Sequence, residues 1–360
     1  MQGVALGNIG CAHLIAIIYA DNGALSYESM MVPFFFSIVS ATALALYWLK
    51  MLLYPRNVLR DDLQDPHAIS TFGSQAMTLC LLSAFVQQYA PFTVGYALGV
   101  PLGLLGGAVQ HVFMLHFLVM CWRKTVLPEP FYNAAVHSCY FPILCLSGAE
   151  FFTYKQVLLV FGLLTVAPSV FVQAYRLVLL PMLNVGGGDD KHTPVLLVPN
   201  FSVCMMQNAF SISLRAWLKF PQTDSLAVPY LLFALSTLFF LLTLLGLWQR
   251  RHLLYKLGLH KSLAASHFPF VLTATAANQF KEHTRNYMTN TQYTVLTIWA
   301  MLLSSLGIFM VLLVDYTYVT RGLFIDIDLL PPQQEEEKGE RELVVVPTDH
   351  YKWGWLTPQL

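Results

Sequence analysis

Long apolar runs of about twenty residues, separated by short polar stretches, occupy most of this 360-residue chain. A helix needs about 20 mostly apolar residues to cross the hydrocarbon core of a bilayer. Ten runs meet this requirement, and each is predicted to form one transmembrane helix. The predicted segments are Met1–Ala20, Met31–Leu53, Ala68–Tyr89, Phe92–Met120, Phe131–Ala149, Val157–Leu180, Thr193–Ile212, Leu226–Leu247, Leu263–Phe280 and Thr294–Tyr316.

Polar side chains are distributed unevenly among these segments. The even-numbered segments are mostly apolar, as Leu226–Leu247 illustrates, whereas the odd-numbered ones carry more hydroxyl, amide and imidazole groups. Such groups either hold helices together or line a wet path, and packing is the simpler interpretation for any single residue. The alternation across all five odd segments predicts five inner helices around a polar axis and five outer helices against lipid. The pore-lining candidates are Asn8, Ser74, His137, Ser138, Ser202 and Thr273.

The composition supports a membrane protein. Charged residues make up 11% of the chain and hydrophobic residues 56%, whereas a soluble domain carries about 25% charged residues. The net charge is zero, so nothing predicts a nucleic-acid partner. The six cysteines form no CxxC pair, and neither a metal site nor a cofactor is predicted.

Lysine and arginine residues predict the orientation. Twelve lie in loops that follow even-numbered segments, and five lie in loops that follow odd-numbered segments. The positive-inside rule therefore places both termini in the cytoplasm, in what we expect to be the plasma membrane. Residues 1–320 form the membrane domain under this interpretation, and residues 321–360 form a polar, acidic cytoplasmic tail that contains PPQQEEEKGERE.

The charges near the membrane favour an anion as solute. A cation or proton path usually contains intramembrane carboxylates, whereas Glu150, Asp189 and Asp190 fall at segment ends or in loops. A neutral path lined by hydroxyl and amide groups suits a weakly held anion. On the outer side, anions would be attracted by Arg215, Lys219, Lys281 and Arg285. Interfacial anchoring of these four residues is the alternative.

Prolines lie inside three of the odd segments, at Pro142, Pro199 and Pro269. A proline inside a helix removes one backbone hydrogen bond and bends the helix. In a membrane the freed carbonyl is tolerated only where protein or water can satisfy it. Pro269 is flanked by Phe268 and Phe270, which point about 200° apart on a helix. The bend in this segment is therefore predicted to face the polar axis.

Several stretches resemble the tellurite-resistance/dicarboxylate transporter family, which includes the plant slow-type anion channels. SHFPFVLT in the ninth segment is similar to the aromatic-rich stretch of that family, with Ala264 and Ala265 in place of the usual tryptophans. The other stretches that resemble the family are DLQDPHAISTF at the start of the third segment, EPFYNAAV at the start of the fifth and TPVLLVPNFSV in the seventh.

The resemblance implies a ten-helix fold of five hairpins with quasi-fivefold symmetry, in which the odd helices line a central anion pore. It further implies a homotrimer with one pore in each protomer, and proline kinks at Pro142, Pro199 and Pro269. The gating phenylalanine would be Phe268, with Phe270 as the near alternative. The expected function is transport of a small anion such as chloride, nitrate, sulfite or malate.

Histidines raise the alternative of an integral-membrane enzyme. His13, His137 and His267 lie on three different odd segments and would be able to meet near the axis. However, the chain contains no HExxH motif, nucleophile elbow or paired catalytic acids. We therefore expect these histidines to pack or to line the pore, and we expect no enzymatic activity.

Overall fold

A computed structural model describes residues 2–19, 27–55, 66–124, 133, 136–146, 148–179, 201–220, 226–249, 251 and 264–324. These residues form helices and turns, and none of them lies in a β-strand. The predicted tail, 321–360, lies outside the described residues from position 325 onwards, as does Pro199.

The α-helices of more than one turn are α1 (Gln2–Tyr19), α2 (Tyr27–Leu53), α3 (Pro66–Tyr89), α4 (Val100–Lys124), α5 (Phe141–Cys145), α6 (Phe152–Ala174), α7 (Asn208–Trp217), α8 (Ala227–Gln249), α9 (Ala264–Thr284) and α10 (Asn290–Phe324). Short 3-10 turns precede three of them, at His137–Tyr140 before α5, Ala149–Phe151 before α6 and Phe201–Gln207 before α7. A π-helical stretch, Gly95–Gly99, leads into α4, and another, Tyr175–Leu179, follows α6.

Two of the predicted segments require correction. The fifth was expected to be a continuous helix, but its described part is a 3-10 turn followed by only five α-helical residues, after which Leu146 is extended. Pro142 has no N–H group and lies in the first turn of α5, where none is needed for a helical hydrogen bond. The seventh segment was expected to end at Ile212, but α7 continues to Trp217, so Arg215 is helical rather than in a loop.

Five helices are long and apolar enough to cross a membrane: Ser29–Leu53, Phe92–Arg123, Ala149–Leu179, Ala227–Gln249 and Asn290–Thr320. They correspond to the even-numbered predicted segments. In three of them, only 33% of the most apolar 18-residue stretch is buried. Large apolar side chains on these five helices, such as Leu52, Trp122 and Leu164, are exposed. The prediction of an all-α protein with helices of membrane-spanning length is confirmed.

Helices from the odd-numbered segments are buried on every side. All residues from 5 to 16 in α1, from 203 to 216 in and before α7 and from 266 to 278 in α9 are buried. Each of these runs exceeds three helical turns, so no face of the helix is left for lipid over that length. The amide and hydroxyl groups on these helices are therefore enclosed by protein.

Helix contacts form a closed cycle inside the molecule. α1 packs on α3, α3 on α5, α5 on α7, α7 on α9, and α9 back on α1. Each even-numbered helix packs against the odd-numbered helix that precedes it, most extensively in the pairs α1–α2, α3–α4 and α9–α10. The cycle thus consists of the buried helices, and the apolar helices surround it.

Glycine permits close packing of α3 on α4. A Cβ atom at Gly106 would lie 2.8 Å from the Cys80 Sγ atom and 3.1 Å from the Cys80 backbone nitrogen. These distances are shorter than ordinary van der Waals contacts, and the backbone nitrogen has little freedom to move. Close approach of two transmembrane helices at a small residue is a common mode of helix association in membranes.

We predict that Gly106→Leu destabilises the protein by about 1–3 kcal/mol, because overpacking forces the two helices apart. The measurement is the thermal unfolding midpoint of the purified protein in detergent. Ala108→Leu is the matched control, because Ala108 lies on the exposed side of the same helix and should change the midpoint little. An equal decrease in both variants would contradict this account of the α3–α4 contact.

Candidate functional site

Phe268 lies where the inner helices converge. Its side chain is buried (3% exposed), and its ring lies against Gly10 of α1, where an added Cβ atom would be 3.2 Å from the ring. On another side the ring meets that of Phe141 in α5, with centroids 6.0 Å apart. Because α5 and α9 are not neighbours in the cycle of helices, this contact crosses its interior. Phe268 and Phe141 thus meet inside the cycle of helices.

Phe270 points in a different direction. It is as buried as Phe268 (3% exposed), but its ring meets Phe240 of the outer helix α8 edge-on, with centroids 5.9 Å apart and planes at 89°. The two phenylalanines therefore differ in direction as the helical spacing requires. Of the two gate candidates, Phe268 faces the interior of the cycle and Phe270 faces an outer helix.

The prolines do not separate inner helices from outer ones. Pro269 lies inside α9, and its carbonyl accepts a hydrogen bond from Thr273 Oγ1 at 3.0 Å. Pro33 and Pro168 likewise lie inside α2 and α6, which are outer helices. A proline within a helix is therefore found in both inner and outer helices. Pro142 differs, because it lies where a 3-10 turn changes to α-helix.

Thr273 participates in a chain of hydroxyl groups between helices. Its Oγ1 atom lies 3.0 Å from Ser211 Oγ in α7, and Ser211 Oγ lies 2.7 Å from Ser236 Oγ in α8. These contacts join two inner helices to an outer one. Of the two interpretations open for Thr273, pore lining or helix packing, its contacts favour packing.

Other pore-lining candidates are also buried. Ser74 and Ser138 are 8% and 1% exposed, and His137 is 3% exposed. Ser202 precedes α7, and its side chain lies outside the described part of the structure. The candidates that can be located therefore all lie within the enclosed part of the protein.

Several buried polar atoms in the fifth and seventh segments have no hydrogen-bond partner among the described residues. They are both ring nitrogens of His137, the amide of Gln207 and the Oδ1 atom of Asn208. A buried polar atom without a partner costs about 1–3 kcal/mol, and such atoms are ordinarily satisfied by water. We therefore expect ordered water beside these groups.

Asp315 is a half-buried acidic residue that the sequence patterns did not indicate. Asn8 of α1 donates a hydrogen bond from Nδ2 to Asp315 Oδ1 at 3.0 Å and another to the Val4 carbonyl at 2.9 Å. Asp315 lies within the apolar run of α10, and an isolated carboxylate in such a run is itself an indication of function. The contact joins the amino-terminal half of α1 to the carboxyl-terminal half of α10.

The four predicted cations divide into two groups. Lys281 forms an ion pair with Glu282 at 3.0 Å, and both Lys281 and Arg285 lie over the ring of Tyr293. These two residues are therefore engaged at the surface. Arg215, by contrast, is 4% exposed, and its Nε atom donates to Gln279 Oε1 of α9 at 3.1 Å.

Lys219 and Lys155 extend the positive charge around Arg215. Lys219 has an exposed side chain, yet its pKa is lowered, first by desolvation and then by the charges of Arg215 and Lys155. Lys155 belongs to the same positive group, and its side chain is 8% exposed.

The three histidines do not assemble into a metal site. His13 in α1 forms a hydrogen bond to the Leu81 carbonyl in α3 at 2.9 Å, and the ring of His267 lies against Gly7. Among the residues that the structure describes, no three His, Cys, Asp or Glu side chains converge as metal ligands.

Comparison with known proteins adds no assignment. The sequence matches no family model, and no curated protein matches it.

We predict that Asp315→Leu lowers the thermal unfolding midpoint, because it leaves a buried N–H group of Asn8 without an acceptor, at a cost of about 1–3 kcal/mol. Asp315→Asn is the matched control, since its amide oxygen can still accept from Asn8. Both midpoints are measured in detergent by differential scanning fluorimetry. Equal destabilisation by the two substitutions would show that the hydrogen bond to Asn8 is not what stabilises the contact.

Proposed function

We propose that this protein transports small anions across a membrane through a central path that Phe268 closes. The observation that carries the proposal is the contact between Phe268 and Phe141, two buried rings that meet across the interior of the helix cycle. A ring in this position blocks any path along the cycle axis. On the side of α5 the ring opposes another side chain, Phe141, so a rotation of either ring would widen the path.

The architecture that we propose has ten transmembrane helices in five hairpins with quasi-fivefold symmetry. Its odd-numbered helices surround the pore, and its even-numbered helices face lipid. The closed cycle of contacts and the complete burial of long stretches of α1, α7 and α9 support this arrangement. It agrees with the fold implied by the resemblance to the tellurite-resistance/dicarboxylate transporter family, which also motivates the proposal of a homotrimer.

An anion is the solute that the charges favour. The described part of the cycle carries mainly hydroxyl, amide and imidazole groups, and a buried arginine lies at one end. By the lysine and arginine distribution, that end faces outward, while both termini and the 321–360 tail are cytoplasmic. We propose the plasma membrane as the location and chloride, nitrate, sulfite or a dicarboxylate such as malate as the transported anion.

We predict that Phe268→Ala increases anion conductance severalfold, because the truncated side chain no longer fills the axis. Conductance is measured by voltage clamp in oocytes and by anion flux in liposomes. Phe270→Ala is the matched control: it removes an equally buried ring from the same helix, so both variants lose similar packing energy, about 3–5 kcal/mol. Only Phe268→Ala should open the path and raise the conductance.

Surface expression is measured for both variants so that conductance is compared per molecule. Unchanged conductance in folded Phe268→Ala, or an equal increase in Phe270→Ala, would refute the gate. Phe141→Ala should also raise conductance, because its ring fills the other half of the same contact.

A further inference from the structure

Arg215 is a buried positive charge that has no negative partner among the described residues. Its side chain is 4% exposed and reaches from α7 to α9, where only Nε is used, as the donor to Gln279. Within the described part of the chain, no carboxylate lies at ion-pair distance from this guanidinium. Burying an unpaired charge is costly, so the arrangement calls for an anion in addition to the residues that the structure describes.

Neighbouring groups reinforce the positive charge. Lys219 lies within electrostatic range of both Arg215 and Lys155. Among the described residues, Glu150 is an acidic group close enough to act on Lys155. Residues of α6 and α7, together with Lys219 just after α7, thus form one positively charged group near the end of the helix cycle.

The geometry of Arg215 points to the class of ligand. Its Nε atom is held by Gln279, which fixes the plane of the guanidinium and leaves the two terminal nitrogens without hydrogen-bond partners among the described residues. Two parallel N–H groups in a plane match a planar oxyanion, which accepts both bonds at once. A monatomic anion such as chloride gains the charge attraction without this two-point match.

We propose that Arg215, oriented by Gln279 and supported by Lys155 and Lys219, forms an anion-binding site that prefers planar oxyanions, namely nitrate and carboxylate groups, over chloride. The proposal rests on the transport function proposed above and specifies where the anion binds before it reaches Phe268. It also separates Arg215 from Lys281 and Arg285, which are engaged by Glu282 and Tyr293 at the surface.

Binding is tested without transport. The full-length protein is purified in detergent, and its unfolding midpoint is measured against increasing sodium nitrate, formate or chloride, with sodium isethionate keeping the ionic strength constant. A ligand that binds the folded state raises the midpoint saturably. Nitrate and formate should reach half-saturation at a concentration at least about threefold lower than chloride.

Three variants locate the site. Arg215→Gln should raise the half-saturating nitrate concentration about tenfold or more, whereas the control Lys281→Gln should leave it unchanged. Arg215→Lys keeps the charge but loses the planar pair of donors, so it should bind anions with little distinction between nitrate and chloride. If Arg215→Gln does not fold, the loss of the preference for nitrate over chloride in Arg215→Lys tests the site instead.

Each contrary outcome is informative. Undiminished nitrate binding in Arg215→Gln, or an equal loss in Lys281→Gln, would overturn the site, and equal affinities of the unmodified protein for nitrate and chloride would overturn its oxyanion preference. Binding that depends on Arg215 in a protein without anion flux would leave the site standing and refute the transport function. Anion flux through Phe268→Ala, in a protein whose unfolding midpoint does not change with anion concentration, would support the transport function and refute the binding site.

Discussion

The hydrocarbon core of a membrane provides no hydrogen bonds, and this constraint determines how the chain is organised. α1, α7 and α9 carry amide, hydroxyl and imidazole groups that lipid cannot satisfy. They are buried over long stretches, and apolar helices such as α2, α8 and α10 cover them. The polar interior exists only because the outer helices exclude lipid from it, so the proposed path and the outer layer depend on each other.

Small and large side chains are matched inside the cycle. Gly7 and Gly10 are one turn apart on α1, and the rings of His267 and Phe268 lie against them. A larger residue at either position would occupy the space of a ring. The two glycines thus have a steric role: they make room for the side chains of α9.

Much of this organisation follows from local sequence patterns. The helix positions follow from apolar length, and the opposite directions of Phe268 and Phe270 follow from the angle between positions two residues apart. Arg215 was misplaced because α7 continues past its apolar part, which hydropathy does not reveal. Asp315 was overlooked because it lies near the end of an apolar run, while its partner Asn8 is 307 positions away. Contacts between distant segments, including Phe141 with Phe268, required the structure.

The central claim is that the interior of the helix cycle conducts anions once Phe268 no longer fills it. The most direct test is the reversal potential of the current through purified Phe268→Ala in planar bilayers, with unequal salt concentrations on the two sides. The account predicts a reversal potential close to the equilibrium potential of the anion, and a shift when nitrate replaces chloride on one side. A reversal potential at the cation equilibrium potential would contradict it.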